Sequence, residues 1–261
     1  MDLGLKGKVA LITGGSKGIG LGTAIELAKE GASIAICARN LEHMNEAAAH
    51  ISKVTGVTEV LLIQADMTRQ EDCVKAVEET ARRYGRLDIL INNAGTSAAK
   101  PFEQVESELW HQDLDLKLFG AIHCSRAAIP YMRSAGGGAI VNVTASSAKT
   151  PSASSLPTSV SRAAGMALTN AMSKDLGPDN IRVNTVCIGL IRSDQIEKGW
   201  MKQAPELTWE QYAHDSKHQI PLGRIGNTDE AAKVITFLVS DAASYVSGTS
   251  VNIDGGKAAA L

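Results

Sequence analysis

Thr13-Gly14-Gly15-Ser16-Lys17-Gly18-Ile19-Gly20 is the stretch that decides the fold of this 261-residue chain. It follows the apolar run VALIT at 9–13 and opens a segment near 18–30 with helical spacing, so it reads as a glycine-rich turn joining a strand to a helix. Gly14 permits a tight turn. Gly18 and Gly20 allow backbone and helix to approach closely, leaving the first helical N–H groups to receive a pyrophosphate. Glycine turns also serve ordinary strand-to-helix corners, so the context must carry part of the argument.

That context is an alternation of short apolar runs and helical periods. After the first pair come SIAIC at 33–37, a helix near 41–54, VLLIQ at 60–64, a helix near 70–84, and LDILIN at 87–92. A long helix near 107–134, AIVNVT at 139–144, a helix near 158–176, IRVNTV at 181–186 and a last strand at about 249–253 complete the pattern. Strands apolar on both faces and separated by helices predict a doubly wound, mostly parallel α/β sheet, a Rossmann fold in one domain over 1–261. A polar insertion at about 192–220 interrupts the alternation and reads as a substrate-side lid, with Trp200, Trp209 and Tyr212 offering a mixed polar and aromatic lining.

Lys and Arg number 26 against 28 Asp and Glu, a net charge of -2, which offers no basic field for nucleic acid. Cys37, Cys73, Cys124 and Cys187 lie far apart in apolar surroundings and read as free core thiols, consistent with a reducing cytoplasm. No apolar run reaches the roughly 18 to 20 residues that a membrane span needs, and the start MDLGLKGK lacks the apolar stretch of a signal peptide. A cytoplasmic protein without nucleic-acid or membrane partners is expected.

Three segments carry a family resemblance. The 13–20 turn resembles the TGxxxGxG pattern of short-chain dehydrogenases/reductases, residues 92–95 read NNAG, a second signature of that family, and Asp66 ends the third strand, where the family holds the adenine amino group with Asp. The resemblance extends over nearly the whole chain. It implies a dinucleotide contact set of Gly14, Ser16, Lys17, Gly18, Ile19, Gly20, Arg39, Asn40, Asp66, Met67, Asn93, Ala94, Gly95 and Gly189. At the end of the second strand, Cys37-Ala38-Arg39-Asn40 holds no acid to bind a ribose 2′-hydroxyl, while Arg39 can pair with a phosphate through its planar fork. With Lys17 before Gly18, this favours NADP(H) over NAD(H). Small-molecule substrates and a homodimer or homotetramer, or pairing with a paralogous subunit, are further implications of the family.

Where the family places its catalytic Asn, Ser, Tyr and Lys, this chain differs. Alignment on Ile140–Val143 puts Ala145 at the serine, with Ser146 or Ser147 one or two residues on; Thr158 falls at the tyrosine, Arg162 at the lysine, and Lys117 at the helix asparagine. An aliphatic hydroxyl is a far weaker acid than a phenol, and guanidinium stays protonated, so the usual acid is not replaced in kind. Lys117 and Arg162 together offer two cations for an anionic substrate group. Mutual repulsion is expected to depress the pKa of Lys117, making it a candidate proton donor or nucleophile. The competing expectation pairs Lys117 with Asp113 one helical turn earlier and leaves Arg162 near the ribose. His123 reads as a core or interface residue and His111 as a surface one; His214 and His218 lack further ligands for a metal. An oxidoreductase with a rewritten site thus stands beside two alternatives: an inactive subunit partnering an active paralogue, and non-redox chemistry on the same fold.

Overall fold

The computed structural model describes residues 2–260. Among the described residues, seven strands form one sheet in the order β3-β2-β1-β4-β5-β6-β7, every neighbouring pair parallel: β1 Val9–Thr13, β2 Ser33–Ala38, β3 Val60–Gln64, β4 Ile89–Asn92, β5 Gly138–Ala145, β6 Ile181–Ile188 and β7 Ser250–Ile253. Chain order reverses between β1 and β4, which opens a crevice at the carboxyl ends of these strands.

The two-residue period of β1 shows how the core divides. Ala10 and Ile12 point into one apolar layer with Ala24 and Leu27 of α1 (Gly18–Lys29) and with Met44 and Ile51 of α2 (Leu41–Thr55). Val9 and Leu11 point into the other, with Cys73, Ala76 and Val77 of α3 (Gln70–Tyr84). All four cysteines are free and buried, and three of them surround one thioether: Cys37, Cys73 and Cys124 place Sγ at 3.9, 4.0 and 3.8 Å from Met67 Sδ.

Three elements depart from the expected pattern. The helix expected at 107–134 is divided into α4 (Ser107–Leu114) and α5 (Gly120–Ser134) by a π turn over Asp115–Phe119, whose wider hydrogen bonding carries Gly120 N–H to Asp115 O. The 192–220 insertion folds into α7 (Asp194–Gln203) and α8 (Trp209–Ala213) around a small apolar cluster of its own. Trp200, Trp209 and Tyr212 pack on one another there at centroid distances of 5.6 to 6.4 Å, so these aromatics form the insertion's core and do not line the crevice. A ninth helix, α9 (Thr228–Val239), follows it and packs on α1, with Glu230 Oε2 accepting from Asn227 N–H at 2.8 Å at its start. The helix over Thr158–Asp175 is α6.

Among the described residues, no helix is long and apolar enough to cross a membrane, and no group of three or more His, Cys, Asp or Glu side chains is placed to hold a metal ion. His214 Nδ1 and His218 Nε2 each lie against a backbone carbonyl, of Glu210 and Tyr212. His111 is exposed, and His123 is half-buried and stacked on Phe119.

Candidate functional site

A cavity of about 700 Å3 occupies the crevice above β1 and β4. Its first half is built from backbone. Gly14 turns the chain at φ +63°, and the N–H groups of Gly14 and Gly15 donate to Cys37 O at 2.9 and 3.4 Å, which fastens the turn to β2. The next strand over is stitched to it: Thr13 Oγ1 accepts from Asn93 and Ala94 N–H at 2.9 and 3.0 Å, and Asn93 Nδ2 donates to Thr13 O and Gly14 O at 3.0 and 3.1 Å. Gly20 sits so close beneath that a Cβ there would meet Gly14 O at 2.4 Å and Asn93 Nδ2 at 2.6 Å; its role is packing, and it does not itself line the cavity. α1 opens without a side-chain cap, so its first N–H groups face the cavity unspent. This donor set suits a pyrophosphate.

Every other expected contact residue, from Ser16 to Gly189, lies on the cavity wall. Asp66 Oδ1 accepts from Thr68 N–H and Oγ1 at 3.0 and 2.9 Å, which fixes the carboxylate beside buried Met67. Asn40 is already committed as the cap of α2, accepting from His43 N–H at 2.9 Å. Arg39 and Lys17 share this end with His43, and no acidic side chain ends β2.

The second half is built from side chains. Ala145, Ser146, Ser147, Thr158 and Arg162 line it; Lys117 lies behind them, its side chain 1% exposed. Lys117 Nζ forms a close ion pair with Asp113 Oδ1 and donates to Thr158 Oγ1 at 3.0 Å, while the other carboxylate oxygen of Asp113 accepts from Ser161 Oγ at 2.6 Å. The expected pairing with Asp113 is therefore present, and the expectation of Lys117 as a second cation facing an anionic ligand is not met: the wall residue Thr158 stands in front of it. Burial, with help from the nearby Arg162 charge and against Asp113, pulls the Lys117 ammonium down to about 8. Burial likewise pulls Arg162 to about 10, so both remain cations at neutral pH.

Arg162 Nη1 donates to Val143 O, its Nε is buried without a partner, and its Nη2 rests against Gly95, where a Cβ would meet it at 2.6 Å. One N–H of Arg162 is thus spent on Val143 O, while the buried Nε–H has no acceptor among the described residues. Thr158 Oγ1 accepts a second hydrogen bond, from Ala98 N–H at 2.9 Å. Thr96, Ser97, Ser193, Gln195 and Lys257 line the wall without having been anticipated. Ser193 was reachable from sequence, because Ser-Asp ahead of a helical period marks an N-cap, and Ser193 Oγ does cap α7. Lys257 was not, since only the folded C-terminal tail brings it to the mouth.

A dinucleotide-binding α/β protein is the class that this sheet order, crevice and uncapped helix start define. The family model described as enoyl-(acyl carrier protein) reductase matches residues 14–258. The 3-oxoacyl-(acyl-carrier-protein) reductase of Thermotoga maritima is 32% identical over 252 residues, covering 97% of this chain and 98% of that protein. The L-sorbose reductase of Gluconobacter frateurii, solved with NADPH and L-sorbose, is similar with a TM-score of 0.93 at 34% identity over 100% of both chains. A short-chain oxidoreductase of Pseudomonas aeruginosa PAO1, solved in its apo form and described as containing an atypical catalytic center, reaches a TM-score of 0.94 at 33% identity, covering 99% of this chain and 100% of that one. The chain belongs to the short-chain dehydrogenase/reductase family, whose members bind a nicotinamide cofactor.

Proposed function

We propose that this chain is an NADP(H)-dependent oxidoreductase that interconverts a small carbonyl compound and its alcohol, with the Thr158 hydroxyl bonded to the reacting oxygen. One observation carries the reading. Thr158 Oγ1 accepts from both Lys117 Nζ and Ala98 N–H, which uses its two lone pairs, and it lies on the cavity wall. Its own proton has no acceptor among the described residues, so it is available to an oxygen of a bound molecule.

The preference for NADP(H) rests on Arg39 and Lys17 at the adenine end together with the absence of an acid after β2. A bound nicotinamide supplies hydride chemistry; the chain's own residues orient and exclude water. Arg162, on the cavity wall, supplies positive charge toward ribose or substrate oxygens, and residues 192–220 act as the lid, Gln195 Oε1 accepting from Ser97 N–H at 3.3 Å across the cavity mouth. That relatives with an NADPH complex and with an atypical centre share the fold supports the reading.

The test is a fluorescence titration with NADPH and NADH, followed by single-turnover oxidation of bound NADPH against a panel of ketones, ketoses, quinones and acyl thioesters. Tight NADPH binding with turnover is expected. Binding without turnover across the panel favours a non-catalytic subunit, and no binding overturns the cofactor assignment.

A further inference from the structure

The reading above needs a proton at the reacting oxygen, and the side chains behind Thr158 supply a route for it. Four polar groups stand in a row from the interior to the cavity: Ser161 Oγ, the Asp113 carboxylate, Lys117 Nζ and Thr158 Oγ1. All four residues are buried, on three different elements, α4, the π turn and α6. The π turn is what brings Lys117 to Thr158. Regular helical hydrogen bonding is replaced there by Gly120 N–H to Asp115 O, and Gly120 packs on Met67 O so closely that a Cβ would meet it at 2.7 Å.

We propose that this row is a proton-delivery chain, in which Lys117 is the acid, Thr158 the conduit to the substrate oxygen, and Asp113 and Ser161 positioning residues. The inference rests on the oxidoreductase reading. As the substrate oxygen gains electron density, the Thr158 O–H bond breaks and a substrate O–H bond forms; a Lys117 N–H bond breaks and restores the Thr158 hydroxyl. Lys117 is left as a neutral amine beside Asp113, and the electron pair that reduces the carbon comes from the nicotinamide. After product leaves, a cavity water returns the proton through Thr158, and alcohol oxidation runs the same steps backward.

Neither wall residue does this alone. An aliphatic hydroxyl is far too weak an acid to give up its proton without simultaneous replacement, and guanidinium does not release one. The charged groups that face Lys117 are Asp113 from α4 and Arg162 from α6. Their balance with burial brings the ammonium to about 8, within reach of neutral pH, where a general acid is most effective.

The experiment uses the full chain with NADPH and a carbonyl it turns over. Lys117→Met and Thr158→Val are each expected to lower kcat by about 10²–10³-fold with KM little changed, and Thr158→Ser to retain most of it. Because Lys117→Met leaves Asp113 buried without its partner, Thr158→Val, which keeps the ion pair, is the decisive variant if the first does not fold. The wild-type reduction rate is expected to fall as pH rises past about 8, and Asp113→Asn to move that fall to lower pH. Small primary amines are expected to restore activity to Lys117→Ala. Independently of turnover, lysine NMR of the NADPH-free protein is expected to show one side chain titrating near 8 that disappears in Lys117→Met. A wild type that turns over while Lys117→Met or Thr158→Val matches its rate and pH profile overturns the chain and leaves the reading standing. A wild type that binds NADPH yet reduces nothing overturns the reading, and the chain with it.

Discussion

The pyrophosphate end of the cavity, after β1, and its reaction end, after β5, have one strand between them, yet they are made of different material. At the first end the working groups are backbone N–H donors, a turn at Gly14, and the stitching of Thr13 to Asn93 and Ala94. Few side-chain changes can alter such a site without breaking the strand-to-helix corner. At the second end the working groups are side chains projecting from α6 and the π turn, with Ala145, Thr158, Arg162 and Lys117 at the positions to which the family resemblance assigns catalysis. Those can be exchanged while the chain path stays as it is. The contrast teaches that the retained half argues for a dinucleotide, whereas the chemistry has to be argued from the other half alone.

Variants that touch one end only can break or sharpen this contrast. The largest effect is expected from Thr158→Val, a loss of about 10²–10³-fold in kcat, with the NADPH titration midpoint unmoved; a weakened midpoint breaks the separation of the two ends. Gly20→Val reverses the pattern. Its side chain has to displace Gly14 O and Asn93 Nδ2, so NADPH binding is lost and urea denaturation registers a stability loss of ~1–3 kcal/mol. Arg39→Asp sharpens the cofactor assignment: losing a charge-assisted bond of about 1.5–3 kcal/mol lowers NADPH affinity by roughly tenfold to a hundredfold, while NADH binding is unchanged or tighter.

A last effect is in stability against pH. A lysine titrates near 10.5 in the unfolded chain and Lys117 near 8 in the folded one, so between these values the unfolded chain holds more protons and stability rises with pH. Below 8 the cost of burying the charge is fully present. Denaturation of wild type across this window is expected to show that rise, and Lys117→Met to lack it.

The sheet was legible because its strands are apolar on both faces, and the cradle because its glycines sit where a helix must start against a strand. The reaction end was legible as four changed positions, two of them cations, but not in its contacts. That Lys117 pairs with Asp113 follows from their four-residue spacing, but that it reaches Thr158 depends on the π turn, and a one-residue widening leaves too little trace in the apolar period of 107–134 to be read. Ser161, four residues before Gly165 on a helix read only for its wall residues, gained its place from tertiary packing against α4. α9 is a different case: Asn227 and Glu230 ahead of a run of apolar residues were a readable start signal. The aromatics of the insertion misled because composition does not say whether Trp200 and Tyr212 face a ligand or each other.

Ala98 N–H and Thr158 Oγ1 tie the loop after β4 to the start of α6, and Arg162 Nη2 lies where a Cβ at residue 95 would meet it at 2.6 Å. As an evolutionary path, this makes the route between this site and a tyrosine-lysine site a coupled one. A tyrosine at 158 removes the acceptor of Lys117 and of the 98 loop at once, while Arg162 still fills the floor. Single substitutions toward it therefore break the Thr158 contacts with Lys117 and Ala98 before a tyrosine-lysine pair is complete, so the two positions have to change together.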